Sequence, residues 1–286
     1  MKNIKYLIEF VIIIIFFILF KILGRKLSIL IGSKIGVLFG PIFRSKKKII
    51  ENINKCFPPL SSNEIEKIIK NMWSYYGMIF SEYVFLNKIR YDKKNDYIQV
   101  EGADIIDKIN KTSKPVIFIS GHFDNFELMA MQIEKMNVKL AAIYRPLNNF
   151  FLNPIMEVLR KKYICKKQIK KGKKGIRELL HLFKNGYSIA LMIDQRVSEG
   201  EKINFFNYPA LTTTIPAQFV KKYDCQIVPV FIERQKDLTF NIKFLNPITF
   251  EKSSEISDIT QKLNTCLEGM IKTNPNQWIW SHNRWK

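Results

Sequence analysis

Residues 115–136 read PVIFISGHFDNFELMAMQIEKM, and this pattern sets the architecture expected of the rest of the chain. Val116 to Ser120 is a short apolar, largely β-branched run with the length of a buried strand. Gly121 breaks the run and supplies a turn. Beyond it Phe126, Met129, Ala130 and Ile133 recur at helical spacing. Strand, glycine turn and helix put His122 at the C-terminal edge of a strand, where open α/β sheets carry their ligands.

His122 is one of three histidines, and Glu127 follows with four residues between them. On one continuous helix the two side chains would diverge by about 140°, so a facing pair needs His122 in the turn and Glu127 in the first helical turn. Glu127 would then accept a hydrogen bond from one ring nitrogen and fix the tautomer. The other nitrogen would be free to take a proton from a hydroxyl. The same residues also read as a helix start, with Asp124 as an acidic N-cap and Glu127 three positions on. The two readings are compatible, because one carboxylate can serve both donors.

Working outward, strand and helix signals alternate from Tyr97 onward. Strands are expected at Ile98–Glu101, Lys139–Tyr144, Ser188–Ile193, Ile227–Ile232 and Leu238–Phe244, besides the one that precedes His122. Helices are expected near Ala103–Asn110, Asn149–Lys161, Arg177–Lys184 and Pro216–Tyr223. This order argues for an α/β fold with a mostly parallel central sheet flanked by helices. Two of the strands end in polar residues, Tyr144-Arg145-Pro146 and Ile193-Asp194-Gln195-Arg196. The lysine run from 161 to 174 reads as a solvated, loop-like face, with a docking patch for an acidic partner as the alternative. Residues 44–93 read as helical, with Ile65, Ile68, Ile69, Met72, Tyr76 and Ile79 forming a core-facing stripe.

The N-terminus points to a membrane. Tyr6 to Leu23 is almost wholly apolar and as a helix would extend about 27 Å, close to a bilayer core of about 30 Å. The basic start would also suit a secretory signal peptide, but no small-residue cleavage site follows. Arg25, Lys26, Lys34, Arg44 and Lys46 to Lys48 crowd the C-terminal side of the run, which keeps the body cytoplasmic. Leu27 to Phe43 is expected in the interface as well. The net charge of +21 calls for a polyanionic partner or surface. The anchor's basic flank explains much of that charge and no nucleic-acid-binding motif is present, so a nucleic-acid partner is disfavoured. The four cysteines are dispersed without zinc-ligand spacing, as in a reducing compartment. Cys165 lies among lysines that would lower its pKa, although an incidental thiol is the preferred reading.

His122-Phe-Asp-Asn-Phe-Glu127 resembles the His-x4-Asp/Glu motif of the glycerolipid-type acyltransferases, and in particular the late acyltransferases of bacterial lipid A synthesis. Further matches follow in that family's order. Tyr144-Arg145-Pro146 is similar to its Tyr-Arg-Pro box and Asp194-Gln195 to its Asp-Gln box. Phe205-Phe206 with Ala210-Leu211-Thr212 resembles its Phe-Phe-Gly and Ala-x-Thr pattern, with Asn207 in place of the usual glycine. Pro275-Asn-Gln-Trp-Ile-Trp280-Ser-His-Asn-Arg284 resembles its terminal signature. The tryptophans and arginine there would pack a sheet edge or sit at the membrane interface, with His282 structural.

The resemblance implies a glycerolipid-acyltransferase-like fold and a membrane-bound O-acyltransferase. Acyl carrier protein is the implied donor, and the implied acceptor is a tetraacylated, Kdo-bearing lipid A precursor acylated on a 3-hydroxyacyl chain. His122, oriented by Glu127, would be the general base. Arg145, Asp194 and Gln195 would bind substrate, with Asp194 paired to Arg145 or merely closing its strand end. Backbone amides of Phe123 to Asn125, or Arg145, would stabilise the oxyanion. No metal, cofactor or covalent intermediate is expected. The expected organisation is an anchor at 1–26, a helical membrane-associated region at 27–95 and an α/β acyltransferase domain at 96–286, placed as a single-pass protein of the bacterial inner membrane. Two alternatives stay open: an acyl-CoA-dependent enzyme for another lipid, such as a glycerophospholipid or phosphatidylinositol mannoside, and a membrane-tethered cationic binding protein without catalysis.

Overall fold

The computed structural model describes residues 2–286. Two apolar helices come first, α1 (Lys2–Leu23) and α2 (Arg25–Phe43). They are joined at Gly24, whose φ of 75° is a conformation that favours glycine. After α3 (Lys46–Cys56), α4 (Ser62–Glu82) opens with a capping box between Ser61 and Glu64. α2 and α4 approach at backbone distance along Gly32, Gly36, Gly40 and Gly77. A Cβ at Gly36 would fall on the Trp73 carbonyl, and one at Gly77 on the Gly32 carbonyl. The outward side of α2 leaves Leu30, Leu38, Ile42 and Phe43 exposed, as suits a lipid-facing helix.

α5 (Leu86–Arg90) leads into the α/β unit, which runs β1 (Ile98–Glu101), α6 (Ala103–Thr112), β2 (Ile117–Ser120), α7 (Glu127–Lys135), β3 (Leu140–Tyr144), α8 (Asn153–Leu159), β4 (Lys167–Lys170), α9 (Lys173–Lys184), β5 (Ser188–Met192), β6 (Glu201–Phe205), β7 (Tyr208–Thr212), α10 (Ile215–Tyr223), β8 (Ile227–Arg234), β9 (Phe240–Phe244) and α11 (Ile256–Thr273). Seven strands form one sheet in the order β1-β9-β8-β2-β5-β3-β4, parallel except for the β8–β9 pair. The expected α/β architecture is therefore present. β6 and β7 form a separate hairpin. Phe206 and Asn207 at its tip have φ of 51° and 63°, so asparagine supplies one of two left-handed positions of the turn.

β2 lies at the centre, with Ile117, Phe118 and Ile119 all buried. Its register against β5 pairs Ser120 with Met192. Two residues past each strand end come His122 and Asp194, so the sheet itself brings them together. The helical region is fastened across this edge. Asn52 on α3 donates to the carbonyls of Trp280 and His282, each at 2.8 Å.

The lysine run departs from the expectation of a loop. Arg160–Ile164 is a π-helical turn, Lys167–Lys170 is the edge strand β4, and α9 begins at Lys173. Only Ile169 of β4 points into the core, and lysines on an edge strand discourage pairing with another chain. Cys165 is buried, and desolvation pushes its thiol up to about 12, opposite to the direction its lysine neighbours suggest.

Candidate active site

His122 sits in the turn between β2 and α7, with its side chain 18% exposed. Its Nδ1 lies 2.7 Å from Asp194 Oδ1, and its backbone N–H donates to Asp194 Oδ2 at 2.7 Å. Trp278 Nε1 donates to the same Oδ2 at 2.9 Å. Asp194 is buried, yet its pKa is lowered: desolvation acts to raise it, and the charge and hydrogen bonds of His122 outweigh that, helped by Trp278. A carboxylate held by these donors selects the Nδ1–H tautomer of His122 and leaves Nε2 as the basic nitrogen. Gln195 Nε2 is 3.4 Å from that nitrogen. The ring stands beside Phe126, centroids 4.6 Å apart, in a narrow cleft walled by Met72, Tyr75, Tyr76 and Ile79 of α4 and by Trp278 and Ile279.

The expected His122–Glu127 pairing is not present. The segment between them is not helical, and it turns at Asp124, whose φ is 34°. Glu127 instead enters the space between the end of α4 and the π-helical turn. There it accepts from Tyr83 Oη at 2.5 Å and from Arg160, whose Nε and Nη2 lie 3.0 and 2.5 Å from its Oε1. Burial is the largest influence on Tyr83, whose phenol is held protonated well above its usual range.

Asp124 is not the N-cap of α7. Arg234 at the end of β8 grips it with Nε and Nη2, at 2.9 and 2.7 Å, and grips Glu82 with Nη1 and Nη2, at 2.8 and 2.7 Å. Arg25 also donates to Glu82 at 2.8 Å, and Asn125 donates to it at 3.1 Å. Burial raises the Asp124 pKa, whereas at Glu82 the two arginines overcome burial and lower it. This buried cluster fixes the His122 turn from behind. The expected oxyanion donors are already engaged elsewhere. Phe123 N–H bonds to Gly121 O, Asp124 N–H to Gln277 O and Asn125 N–H to Asp124 Oδ1. The Gln195 amide stays beside His122 Nε2.

Arg145 lies exposed at the end of β3 and does not pair with Asp194, whose partners are His122 and Trp278. Of the predicted site residues, the fold thus gathers His122, Asp194 and Gln195 in one place, leaves Arg145 on the same sheet edge two strands away, and directs Glu127 to a neighbouring ion pair. Tyr83, Arg160 and Trp278 were not singled out as site residues, and only the terminal Trp-x-Trp carried a signal.

The C-terminal segment braces this edge. Trp278 and Trp280 are buried, and Arg284 donates to Leu211 O and Thr212 Oγ1, each at 2.7 Å. Burial brings the Arg284 pKa down to about 10. His282 Nε2 accepts from Arg196 N–H at 3.0 Å, and burial lowers its pKa, so it is neutral.

The family model for bacterial lipid A biosynthesis acyltransferases matches residues 1–286. The chain belongs to that family. It is 22% identical over 260 residues to the lipid A biosynthesis palmitoleoyltransferase of Escherichia coli K12, covering 90% of this chain and 84% of that protein. It is 22% identical over 256 residues to lipid A biosynthesis acyltransferase 2 of Shigella flexneri (87% and 80% covered), and 21% identical over 239 residues to the Escherichia coli K12 myristoyltransferase (82% and 73%). Among solved structures, a 1-acyl-sn-glycerophosphate acyltransferase of Thermotoga maritima is similar with a TM-score of 0.44 and 14% identity, covering 88% of this chain and 99% of that one. The protein is an acyltransferase of lipid A biosynthesis.

Proposed function

We propose that this acyltransferase moves a fatty acyl chain from acyl carrier protein to the hydroxyl of a 3-hydroxyacyl chain on a lipid A precursor, at the cytoplasmic side of the bacterial inner membrane. The observation that carries the reading is the 2.7 Å bond from His122 Nδ1 to the buried Asp194, which leaves Nε2 free beside a cleft with apolar walls. Nε2 takes the hydroxyl proton as the oxygen attacks the thioester carbonyl, and Asp194 stabilises the imidazolium that results. The proton then passes to the departing thiolate. The Gln195 amide donates to the tetrahedral oxyanion, and Arg145 adds a positive charge two strands farther along the same edge. In this mechanism His122 is the catalytic base and Asp194 its positioning residue. Glu127 acts through Arg160 and Tyr83, holding the start of α7. No metal or covalent intermediate enters the scheme.

Residues 1–26 and 27–95 supply attachment and residues 96–286 the chemistry. The basic residues that follow α1 favour a cytoplasmic body and an anionic lipid surface. The acidic donor suits the lysines between 161 and 174, all of them exposed.

The test uses wild-type protein in vesicles, supplied with each combination of acyl carrier thioester or acyl-CoA and lipid A precursor or glycerophosphate acceptor, read by mass spectrometry. The expected result is the mass gain of one acyl chain on the lipid A precursor with the carrier-bound donor. Acylation of glycerophosphate alone overturns the acceptor, and an equal rate from acyl-CoA overturns the donor.

A further inference from the structure

α1 does not stand away from the body. One side of it packs on the protein from end to end, while Ile4, Ile15 and Ile22 on the other side are 64%, 59% and 77% exposed. Near its start, Tyr6 meets Phe150 and Phe10 meets Phe151, each with ring centroids 6.0 Å apart. The buried Asn149 donates from Nδ2 to the Tyr6 carbonyl at 2.8 Å and to Glu9 at 3.3 Å. Its Oδ1 accepts from Phe151 N–H and Leu152 N–H. Near the other end, Phe20 packs on Phe80 at 5.8 Å, and Lys21 Nζ donates to the Val84 carbonyl at 3.2 Å.

The segment that Asn149 ties to α1 has an open apolar face of its own. Phe150 is 50% exposed and Val158 62%, and Pro154, one helical turn before Val158, is exposed as well. A water-facing side of a helix carries polar residues; α8 carries none at 154 or 158, and Phe150 in the turn before it extends the same apolar face. Exposed Lys161 and Lys162 follow immediately. An apolar face bordered by lysines and continuous with a lipid-facing helix has the composition of an interfacial element.

We propose that Asn149–Val158 is a second membrane-contacting element, embedded in the bilayer surface together with the outer side of α1. The expected single crossing by α1 does not fit these contacts. It would separate Tyr6 from Lys21 by about 22 Å of bilayer depth, whereas one folded body holds both ends. α1 instead lies along the membrane face, and the β3–α8 connection dips in beside it. β3 is two strands from β2, about 10 Å across the sheet, so the edge that carries His122 opens at the surface where a lipid acceptor resides.

The test uses the full chain in phosphatidylethanolamine–phosphatidylglycerol vesicles, with Cys266→Ser removing the one half-exposed thiol. Nitroxide labels are placed through Phe150→Cys and Val158→Cys. Ile15→Cys on the outer side of α1 and Lys111→Cys, exposed just before the opposite end of β2, serve as references. Collision with oxygen is compared with collision with a water-soluble nickel chelate. The labels at 150 and 158 are expected to share the high oxygen-to-chelate ratio of the label at 15. A Val158 label as open to the chelate as the Lys111 label overturns the proposal, whatever the Phe150 label shows. The readout does not depend on acyl transfer, so its failure is distinct from failure of the proposed reaction.

Discussion

Asp194→Asn separates the pairing in this structure from the pairing expected from the motif spacing. The substitution keeps shape and volume but removes the charge that faces the imidazolium formed during proton transfer. Two unit charges about 4 Å apart interact by about 4 kcal/mol at an effective dielectric constant of about 20, which corresponds to about a 10³-fold fall in kcat. Asp194 is buried behind His122, so KM should hardly change. Glu127→Gln removes a charge that faces Arg160 and Tyr83 instead. It should cost about 1.5–3 kcal/mol of stability and much less in kcat. The assay is steady-state acyl transfer with carrier-bound donor and lipid A precursor, alongside thermal unfolding of each variant in the same detergent. If folded Asp194→Asn keeps kcat within about tenfold of wild type while folded Glu127→Gln collapses, the reasoning is refuted and the working pair is His122–Glu127.

Three more outcomes are expected. Arg234→Met leaves Glu82 and Asp124 buried without their shared partner, so thermal unfolding should show a loss of about 3–5 kcal/mol; unchanged stability would remove the cluster as the support of the His122 turn. Asp194 and His282 both have folded pKa values below their unfolded ones, so the native state prefers their deprotonated forms and stability is lost as pH falls. Tm should drop first as pH passes below the ordinary histidine range, through His282, and again in the carboxylate range, through Asp194 and Glu82, with Asp124 opposing. His282→Gln should flatten the first step, and an unaltered profile in that variant would exclude His282 as its source. Reversing Lys166, Lys167 and Lys171 to glutamate should lower kcat/KM for the carrier-bound donor and weaken its salt dependence while sparing acyl-CoA; equal effects on both donors would rule out a docking role.

The centre of the fold was legible because its signals are local. The apolar run from Val116, the glycine after it and the helical spacing beyond identify β2, its turn and α7 within one window. The Asp194 strand end was legible as a polar site, but its partner was not. His122 lies 72 residues away in sequence, and only the β2–β5 register joins them. The partners of Glu127 were not legible because spacing cannot show that the chain turns at Asp124, or that Arg160 and Tyr83 wait on the far side. α8 begins four residues later than its pattern suggests because Asn149 spends its side-chain oxygen on the amides of Phe151 and Leu152, holding the chain in a turn. β4 hides in a lysine run, since an edge strand needs only one inward apolar residue. α11 is passed over although Ile259, Leu263, Leu267 and Met270 carry its spacing plainly.

The central claim, that His122 is the base of an acyl transfer to lipid A, is tested most directly by His122→Ala. Membranes holding wild type and variant at equal levels, with matched unfolding temperatures, would receive labelled acyl carrier thioester and lipid A precursor. Wild type is expected to add one acyl chain to the precursor, and the folded variant none above background. Transfer by folded His122→Ala at the wild-type rate would contradict the claim.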